Sequence, residues 1–411
     1  MKIRLCVLFG GKSVEHEVSV ISALQAIASL DPEKYDVIPV YITKENEFYT
    51  SFECSMIEEY KDIPALIKKS TRCVFLNTEG RVRLMCYPFK KFGSSLISEI
   101  DVAFPIVHGT NVEDGTLQGY LKTLGLPFVG CDVTASAVGM DKYVMKTVLK
   151  ENDVPVLDCL RFYAGALSEM DETVAKCEAK IAYPMIVKPV NLGSSVGISV
   201  AHNGQELRAS LEDAFQFSAQ VLVEKAITNL KEINCSVLGD TEKAEASECE
   251  QPAKSDEILS YKDKYVSGSG GSKGAKGAKS GGSKGMASLA RKIPADITPE
   301  RREEIRSLAV KAFQVLGCNG VSRIDFMIDE DTDTVYLNEI NTIPGSLSFY
   351  LWEPLGVPYK ELLDRMIALA LKRKREEESI HFSFDTNILN IDRSFGGAKG
   401  GKLGGKHGGK I

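Results

Sequence analysis

The sequence lacks any apolar run that approaches the roughly 18 residues needed to cross a membrane. It also lacks a basic excess, because 50 Lys and Arg face 56 Asp and Glu, for a net charge of −6. This balance disfavours a general nucleic-acid-binding protein, which normally carries more cations than anions. The ten cysteines are scattered without a C-x-x-C pair. Their spacing favours free thiols in a cytoplasmic protein over a disulfide framework or a zinc site.

Apolar strands and helical segments alternate from the N-terminus to about residue 130. The run Leu5–Phe9 is too short for the hydrophobic core of a signal peptide and is interpreted as a buried first strand. The alternation predicts an open α/β sheet, in which ligands gather at the loops that leave the strand ends. Two such loops are FGGKSVEHE and VHGTNVEDG. Farther along, Thr298 and Pro299 predict the start of an amphipathic helix.

The strongest chemical signal lies in two strand segments, SRIDFMID and YLNEINTIPG, which are predicted to pair antiparallel. Residues two apart face the same side of a strand, so Glu339 and Asn341 point together. Arg323 and Asp325 do the same on the neighbouring strand. Carboxylate and amide oxygens suit Mg²⁺, and an arginine beside them can hold a developing negative charge. A salt-bridged, solvated sheet face is the alternative interpretation of this pattern.

A second signal is the segment VKPVNLGSSVGIS, where Lys188 leaves a buried strand and a glycine-rich turn follows. Free backbone N–H groups and a lysine form a phosphate cradle, although a lone turn of this kind is more often an ordinary hairpin. Together with a magnesium face, it indicates a nucleoside triphosphate. The segment GGKS at residues 10–13 is not a Walker A motif, because Cys6 stands where that motif requires a glycine.

Taken together, these segments resemble the D-alanine–D-alanine ligases of the ATP-grasp superfamily. The matching pieces are GGKSVEHEVS, HGTNVEDGTLQG, MDKYVMK, YPMIVKPVNLGSSVGIS, VEKAI, YKDKY, SRIDFM and NEINTIPG, in family order. The resemblance implies an α/β ATP-grasp fold of three domains, the last two of which clasp ATP. The implied ranges are an N-terminal substrate domain 1–130, a central subdomain 131–224, a C-terminal subdomain 225–378 with a lid insertion 266–286, and a flexible tail 379–411.

The resemblance also implies which residues bind ATP and metal. Three lysines would reach the phosphates: Lys142, Lys188 and Lys264. Glu224 would accept a hydrogen bond from the adenine amine, and Glu232 would bind the ribose hydroxyls. Ser195 would be a further ATP-binding residue. Glu232 matches the family only with a one-residue shift. Two Mg²⁺ ions, or Mn²⁺ in their place, would be held by Asp325, Glu339 and Asn341.

For the reaction, the resemblance implies an acyl phosphate made from the first D-amino acid and attacked by the amine of the second. Glu15 would bind the first ammonium and His108 would lie near its carboxylate. Arg323 and the backbone N–H of Gly345 would stabilise the oxyanion. A hydrogen-bonded triad would comprise Glu15, Ser194 and Tyr265. Taken alone, Glu15 also fits the first turn of a helix, His108 a capped surface turn, and Tyr265 a core aromatic.

The segment SLSFYLWEP departs from the family, whose members carry Thr-Ser-His-Ser or similar after NTIPG. Ungapped alignment places Tyr350 where the last serine would bind the carboxylate of the second substrate. A phenol can still donate a hydrogen bond, but from farther out, so the identity of the second substrate stays open. Tyr265 favours D-alanine, and a D-Ala–D-Ser ligase is the alternative. The loop HGTNVEDG also departs from the commoner glycine-rich version.

The stretch SGSGGSKGAKGAKSGGSKG at residues 267–285 directly follows YKDKY. In the family this is the loop that closes over ATP, so the stretch is interpreted as an enlarged lid, mobile without ligand. A non-enzymatic protein that holds an anionic polymer through its Gly/Lys segments is the remaining alternative. The preferred hypothesis is an enzyme with small-molecule substrates and without nucleic-acid or membrane partners, and the resemblance implies a homodimer.

Replacing the four lysines of this stretch by serine separates two interpretations of their role. If the lysines face the triphosphate, the KM for ATP rises. If they only keep the segment soluble, the KM for ATP is unchanged. Steady-state kinetics at saturating D-alanine provides the measurement.

Overall fold

Three β-sheets follow one another along the chain in a computed structural model that describes residues 2–193, 196–252 and 291–381. The strands of the first sheet are β1 Ile3–Gly10, β2 Tyr35–Ile42, β3 Phe48–Thr50, β4 Thr71–Thr78, β5 Arg81–Cys86, β6 Leu96–Ile100 and β7 Val102–Pro105. Their order is β6-β5-β4-β3-β2-β1-β7. Strand β1 runs parallel to both of its neighbours, β2 and β7, and its residues Leu5–Phe9 are fully buried.

The second and third sheets are antiparallel throughout their described pairings. The second contains β8 Cys159–Tyr163, β9 Met185–Pro189, β10 Ser199–Ala201 and β11 Gln220–Lys225. The third contains β12 Leu230–Gly239, β13 Ala244–Pro252, β14 Arg291–Lys292, β15 Gly320–Asp329 and β16 Thr334–Asn341. Their orders are β10-β9-β11-β8 and β14-β13-β12-β15-β16.

Helices cover the sheets and connect them. The α-helices of the described ranges are α1 His16–Ser29, α2 Ile63–Lys69, α3 Thr116–Thr123, α4 Val133–Met140, α5 Lys142–Glu151, α6 Met170–Glu178, α7 Gly204–Ala214, α8 Pro299–Val315 and α9 Tyr359–Glu378. Short 3-10 segments are Phe52–Ser55, Ile57–Lys61, Ala164–Glu169, Gly345–Leu351 and Glu353–Leu355. As predicted, Thr298 caps α8, with Oγ1 accepting from Arg301 N at 3.2 Å. None of these described helices is both long and apolar enough to traverse a bilayer.

The last helix packs against both the first sheet and the third, which directly precedes it in the chain. Its buried face joins the core that contains β1, β2 and β7. The residues of that face are Leu362, Leu363, Met366, Ile367 and Ala370. The chain therefore returns to its beginning, so one hydrophobic core depends on both ends of the described sequence.

The structure confirms some of the sequence-based predictions of secondary structure and differs from others. The antiparallel pairing of β15 and β16 is confirmed. The predicted strand LPFVG forms only a single bridge, between Phe128 and Ala103. The antiparallel strands β3–β6 were not predicted, because charged residues at their exposed positions blur the apolar pattern. The strand candidate DEILSYKDKYV, the lid insertion and the tail beyond residue 381 lie outside the described residues, and the domain boundaries stay a prediction.

The packing of α9 predicts that Leu363→Ala destabilises the protein by about 2–5 kcal/mol, because the substitution leaves a cavity in the shared core. Leu363 is fully buried there. The matched control is Leu355→Ala at an exposed position, which should change stability by less than about 0.5 kcal/mol. Chemical denaturation measures both variants, and equal effects would contradict the packing of α9 in this core.

Candidate active site

One face of the third sheet carries a row of polar side chains that crosses four strands, here called the polar row. From β13 to β16, each member lies opposite the next in strand register: Glu250, Asn234, Asp325 and Glu339. On the same face, two residues along, Arg323 lies between Ser236 and Asn341. Neighbouring strands are about 4.8 Å apart, so the pairing brings the predicted metal ligands and Arg323 into one small area.

Arg323 and Asp325 form a bidentate ion pair within this area. Arg323 Nε and Nη2 each donate to one oxygen of Asp325, at 2.7 Å. Asn341 Nδ2 donates to Asp325 Oδ2 at 3.1 Å. Burial disfavours the guanidinium charge, but Asp325 more than offsets it and keeps the pKa of Arg323 above its ordinary value. The arginine is therefore a fixed, oriented positive charge.

The donor set of Asp325, Glu339 and Asn341 fits Mg²⁺ in its chemistry. Two carboxylates and one amide supply hard oxygen ligands, and Asp325 and Glu339 are directly opposite in strand register. Residues 2–193, 196–252 and 291–381 contain no group of three His, Cys, Asp or Glu arranged to hold a metal. The predicted set is of a different type, since one of its members is an amide. Metal binding by these residues stays a prediction.

Three lysines lie near the β16 end of the polar row: Lys142, Lys188 and Lys146. Lys142 Nζ lies 3.4 Å from Glu339 Oε2 and donates to Leu192 O at 2.8 Å. Lys188 Nζ donates to Asn338 Oδ1 at 3.2 Å. The third lysine, Lys146, is buried beside Lys188 and shares its carboxylate partner.

That shared partner is Glu224, which is only 1% exposed. Lys146 Nζ lies 2.7 Å from Glu224 Oε2, and Lys188 pairs with the other oxygen. Burial alone would raise the pKa of Glu224, but the two ammonium groups outweigh it and lower the pKa below its ordinary value. Burial lowers the pKa of Lys146, and with both lysines protonated the trio carries a net positive charge that suits phosphate binding.

Glu15 lies where three loops meet. A β-carbon built on Gly109 would be 2.8 Å from Glu15 Oε2, and one built on Gly193 would be 3.2 Å from it. Gly109 also has a φ of +83°, so both space and backbone conformation require glycine there. The loop before α1, the loop after β7 and the glycine-rich turn after β9 therefore converge on this carboxylate.

His108 is buried, with both ring nitrogens engaged. Nδ1 lies 2.7 Å from Ile343 O, and Nε2 lies 3.1 Å from Ser22 Oγ. The carbonyl oxygen of Ile343 can only accept, so the proton of the neutral ring is on Nδ1 and Nε2 accepts from the Ser22 hydroxyl. Ser22 Oγ in turn accepts from Ser346 N at 2.9 Å. Burial lowers the pKa of His108 to about 4. Contact with a substrate carboxylate stays a prediction, and a neutral ring would bring no positive charge to it.

Comparison with known proteins identifies the family of this chain. Residues 4–131 match the family model described as "D-ala D-ala ligase N-terminus", and residues 148–368 match "D-ala D-ala ligase C-terminus". The D-alanine–D-alanine ligase of Thermosipho melanesiensis is 38% identical over 389 residues, covering 95% of this chain and 99% of the relative. That of Thermoanaerobacter sp. is 40% identical over 385 residues, covering 92% and 98%. The chain belongs to the D-alanine–D-alanine ligase family.

Solved structures of this family have the same fold. The D-alanine–D-alanine ligase from Coxiella burnetii matches with a TM-score of 0.73 at 27% identity, covering 92% of this chain and 96% of that one. The VanG D-Ala:D-Ser ligase from Enterococcus faecalis matches with a TM-score of 0.73 at 28% identity, covering 90% and 100%. The three-domain ATP-grasp fold expected from the sequence is confirmed.

Glu113 is a residue of the candidate active site that the sequence analysis missed. Its Oε2 accepts from Gly109 N at 2.9 Å, and its Oε1 accepts from Ile343 N at 2.8 Å and from Thr342 Oγ1 at 3.2 Å. Burial raises the pKa of Glu113 to about 8, and the nearby charge of Glu15 adds to the effect. The only sequence signal was its position in HGTNVEDG, which does not show that the side chain turns inward.

The segment after β16 has a strained backbone. Ser346, Leu347 and Ser348 have φ values of 51°, 50° and 49°, in the left-handed region that costs non-glycine residues about 1–3 kcal/mol each. Ser346 N binds Ser22 of α1, and Ser346 Oγ donates to Gln25 Oε1 at 2.6 Å. These contacts fix the start of the 3-10 segment Gly345–Leu351, which carries the predicted oxyanion donor Gly345.

The remaining predicted residues fall into two groups. Glu232 lies on β12 opposite Met327 at an exposed position, and its predicted contact with ribose stays a prediction. Four predicted site residues lie outside the described residues: Ser194, Ser195, Lys264 and Tyr265. Of the predicted triad, the structure therefore places Glu15 only.

The buried position of Glu113 predicts a specific pH dependence of stability. Between its ordinary pKa of 4.5 and the folded value of about 8, the folded state holds a proton that the unfolded state has released. Stability therefore falls as pH rises through this window, by at most about 1.4 kcal/mol per pH unit. In Glu113→Gln this contribution is absent, so the thermal midpoint should fall less steeply between pH 4.5 and 8.

The same variant should be less stable than the wild type at pH 5, by about 1–3 kcal/mol, because an amide nitrogen cannot accept one of the backbone N–H groups. The matched control is Glu212→Gln at an exposed position of α7, whose pH curve should run parallel to that of the wild type. Parallel curves for Glu113→Gln and the wild type would contradict the prediction.

Proposed function

We propose that this chain uses ATP to join two D-alanines into D-alanyl-D-alanine, a precursor of peptidoglycan. The observation that carries the proposal is the polar row, in which Arg323 and the candidate metal ligands lie beside Lys142 on one sheet face. Supporting it, relatives at 38–40% identity over nearly their full length are named D-alanine–D-alanine ligases. A cytoplasmic homodimer with small-molecule substrates is part of the proposal.

In the first step, the carboxylate of one D-alanine attacks the γ-phosphorus of ATP, and ADP leaves. The product is D-alanyl phosphate. In the second step, the amine of the other D-alanine attacks the acyl carbon and loses a proton. The new C–N bond replaces the C–O bond to phosphate, which leaves with the bonding electrons. Arg323 and the N–H of Gly345 would stabilise the oxyanion formed on this carbon.

The residues of this chain have distinct parts in the first step. Lys142 and Lys188 would bind the phosphates of ATP. Asp325, Glu339 and Asn341 would hold Mg²⁺, which neutralises charge on the transferring phosphoryl group when it is bound. We further propose that Glu224 serves mainly to orient Lys188, because its carboxylate already pairs with Lys188 and Lys146. This differs from the contact with adenine that the resemblance implies.

A D-Ala–D-Ser ligase is the second candidate function. It is favoured by the similarity to the VanG D-Ala:D-Ser ligase and by the replacement of a serine by Tyr350. A different residue at the position that contacts the carboxylate of the second substrate can change which second substrate binds. The first step of the reaction stays the same. The two candidates therefore differ only in the second substrate.

The proposed function predicts phosphate release that requires ATP, Mg²⁺ and D-alanine together. Purified protein should be tested across D-alanine, D-serine and D-lactate, singly and in pairs, with products identified by mass. D-alanyl-D-alanine should be the main product. A main product of D-alanyl-D-serine would favour the second candidate. Equal ATP hydrolysis with and without every D-amino acid would contradict both.

The oriented charge of Arg323 predicts that Arg323→Met lowers kcat by about 10²- to 10³-fold, the usual loss for one oxyanion donor. The KM for ATP should change little, because the phosphates are bound by lysines. Coupled detection of ADP measures both constants. The control is Arg208→Met on α7, which breaks only the exposed pair with Asp171 and should leave kcat unchanged. Equal kcat values for the Arg323 variant and the wild type would contradict this role.

A further inference from the structure

A closed cluster of three side chains lies at the β13 end of the polar row. Arg291 Nη1 donates to Glu250 Oε2 at 2.9 Å, and Tyr350 OH donates to Glu250 Oε1 at 3.2 Å. The guanidinium carbon of Arg291 lies 4.0 Å from the centre of the Tyr350 ring, in a cation–π contact. Asn234 Nδ2 also donates to Glu250, at 3.0 Å. We call Glu250, Arg291 and Tyr350 the acceptor cluster.

The acceptor cluster faces the same side of the sheet as the candidate catalytic residues. Glu250 is a member of the polar row, and Arg291 lies opposite Pro252, two residues farther along β13. Residues two apart on a strand share a face. Tyr350 belongs to the 3-10 segment that begins at Gly345, the predicted oxyanion donor.

The order along the polar row separates the two ends of the site. At the β16 end, Glu339 lies beside Lys142, where the proposed function places the phosphates. Asp325 and its partner Arg323 lie in the middle. Glu250 lies two strands beyond Asp325, about 10 Å from it across the sheet. If the acyl carbon reacts near Arg323, the phosphate leaves from one side of this carbon and the amine enters from the other. The acceptor cluster then lies on the side from which the amine enters.

Burial of the ion pair between Glu250 and Arg291 costs free energy of desolvation, which suggests a role other than stability. Glu250 is 3% exposed, and the side chain of Arg291 is 11% exposed. Taking both charges out of water carries a large desolvation cost, so such pairs are weak contributors to stability. An oriented guanidinium is, however, the best side chain for binding a carboxylate, because its N–H groups form a planar fork.

We propose that Arg291 binds the α-carboxylate of the second amino acid and that Glu250 and Tyr350 position its guanidinium. This inference rests on the proposed function and deepens it by assigning the residue that binds the carboxylate of the second substrate. The Tyr350 hydroxyl is already engaged with Glu250, so Tyr350 acts through Arg291 and does not replace the missing serine directly. Glu250 and Tyr350 are therefore positioning residues.

D-alaninamide provides the probe, since it has no carboxylate to phosphorylate and can act only as the second substrate. With ATP, Mg²⁺ and equal concentrations of D-alanine and D-alaninamide, the mass ratio of dipeptide to dipeptide amide compares the two acceptors within one sample. The wild type should favour D-alanine by about 10- to 100-fold, the usual effect of one charge-assisted hydrogen bond. Because the ratio is internal, it does not depend on the fraction of folded enzyme.

In Arg291→Met, the ratio should fall to within about threefold of one, because neither acceptor can then pair with a guanidinium. Glu250→Gln should give an intermediate ratio, since Arg291 keeps its charge but loses its orientation. If Arg291→Met does not fold, Arg291→Lys takes its place; it keeps a charge without the planar fork, and its ratio should fall about threefold or more. A wild-type ratio in the Arg291 variant that folds would overturn the inference.

The matched controls are Glu248→Gln and Arg302→Met, which change a second Glu–Arg pair that joins β13 to helix α8 at 3.3 Å. Both variants should keep the wild-type ratio of dipeptide to dipeptide amide. A ratio near one in both variants would also overturn the inference.

A separate reaction distinguishes failure of the inference from failure of the proposed function. Hydroxylamine traps D-alanyl phosphate as the hydroxamate without using a second amino acid. Arg291→Met should still form hydroxamate at a rate within about threefold of the wild type, since the first step does not use this residue. If the wild type forms neither hydroxamate nor dipeptide, the proposed function fails and the inference fails with it. A wild type that forms both products with a ratio near one overturns the inference alone.

Discussion

The antiparallel register of β12, β13, β15 and β16 is the constraint on which the candidate active site depends. Side chains alternate between the two faces of a strand, so a slip of one residue would turn a whole set of side chains away from the site. In the observed register, Asp325 meets Glu339 on one side and Asn234 on the other. The opposite face packs residues such as Ile324 and Phe326 into the core with α8. Hydrophobic burial on one face therefore holds the polar row in place on the other.

Buried polar groups then tie the loops to this sheet. Glu113 joins the loop after β7 to the backbone after β16, and His108 joins the same two segments through Ile343 O. Unsatisfied polar groups at these depths would be costly, so the loops have few alternative positions. Ser22 and Gln25 of α1 hold Ser346 in its left-handed conformation. The cost of that strain is offset by contacts that place Gly345 and Tyr350 beside the row, a form of preorganisation expected of a site that stabilises an oxyanion.

Sequence patterns predicted the parts of this site that depend on near neighbours. The spacing of two residues between Arg323 and Asp325 placed both on one face, and the cap at Thr298 follows from its own helix. Other parts depend on residues far apart in the chain. Glu113 contacts residues about 230 positions away, and Tyr350 meets Glu250 from 100 positions away. Neither contact has a local pattern, so Tyr350 could be recognised as a departure from the family without any indication of its partner.

The sequence by itself determined the strand pair β15 and β16, the capped start of α8, the family and the types of group available for chemistry, because these follow from local periodicity and short motifs. Only the tertiary structure decided how those groups are paired. It placed Glu224 between two lysines, gave His108 a neutral ring and joined Arg291 to Glu250. Charge and protonation state depend on burial and on neighbours brought together by folding, and these are properties of three-dimensional packing rather than of residue order.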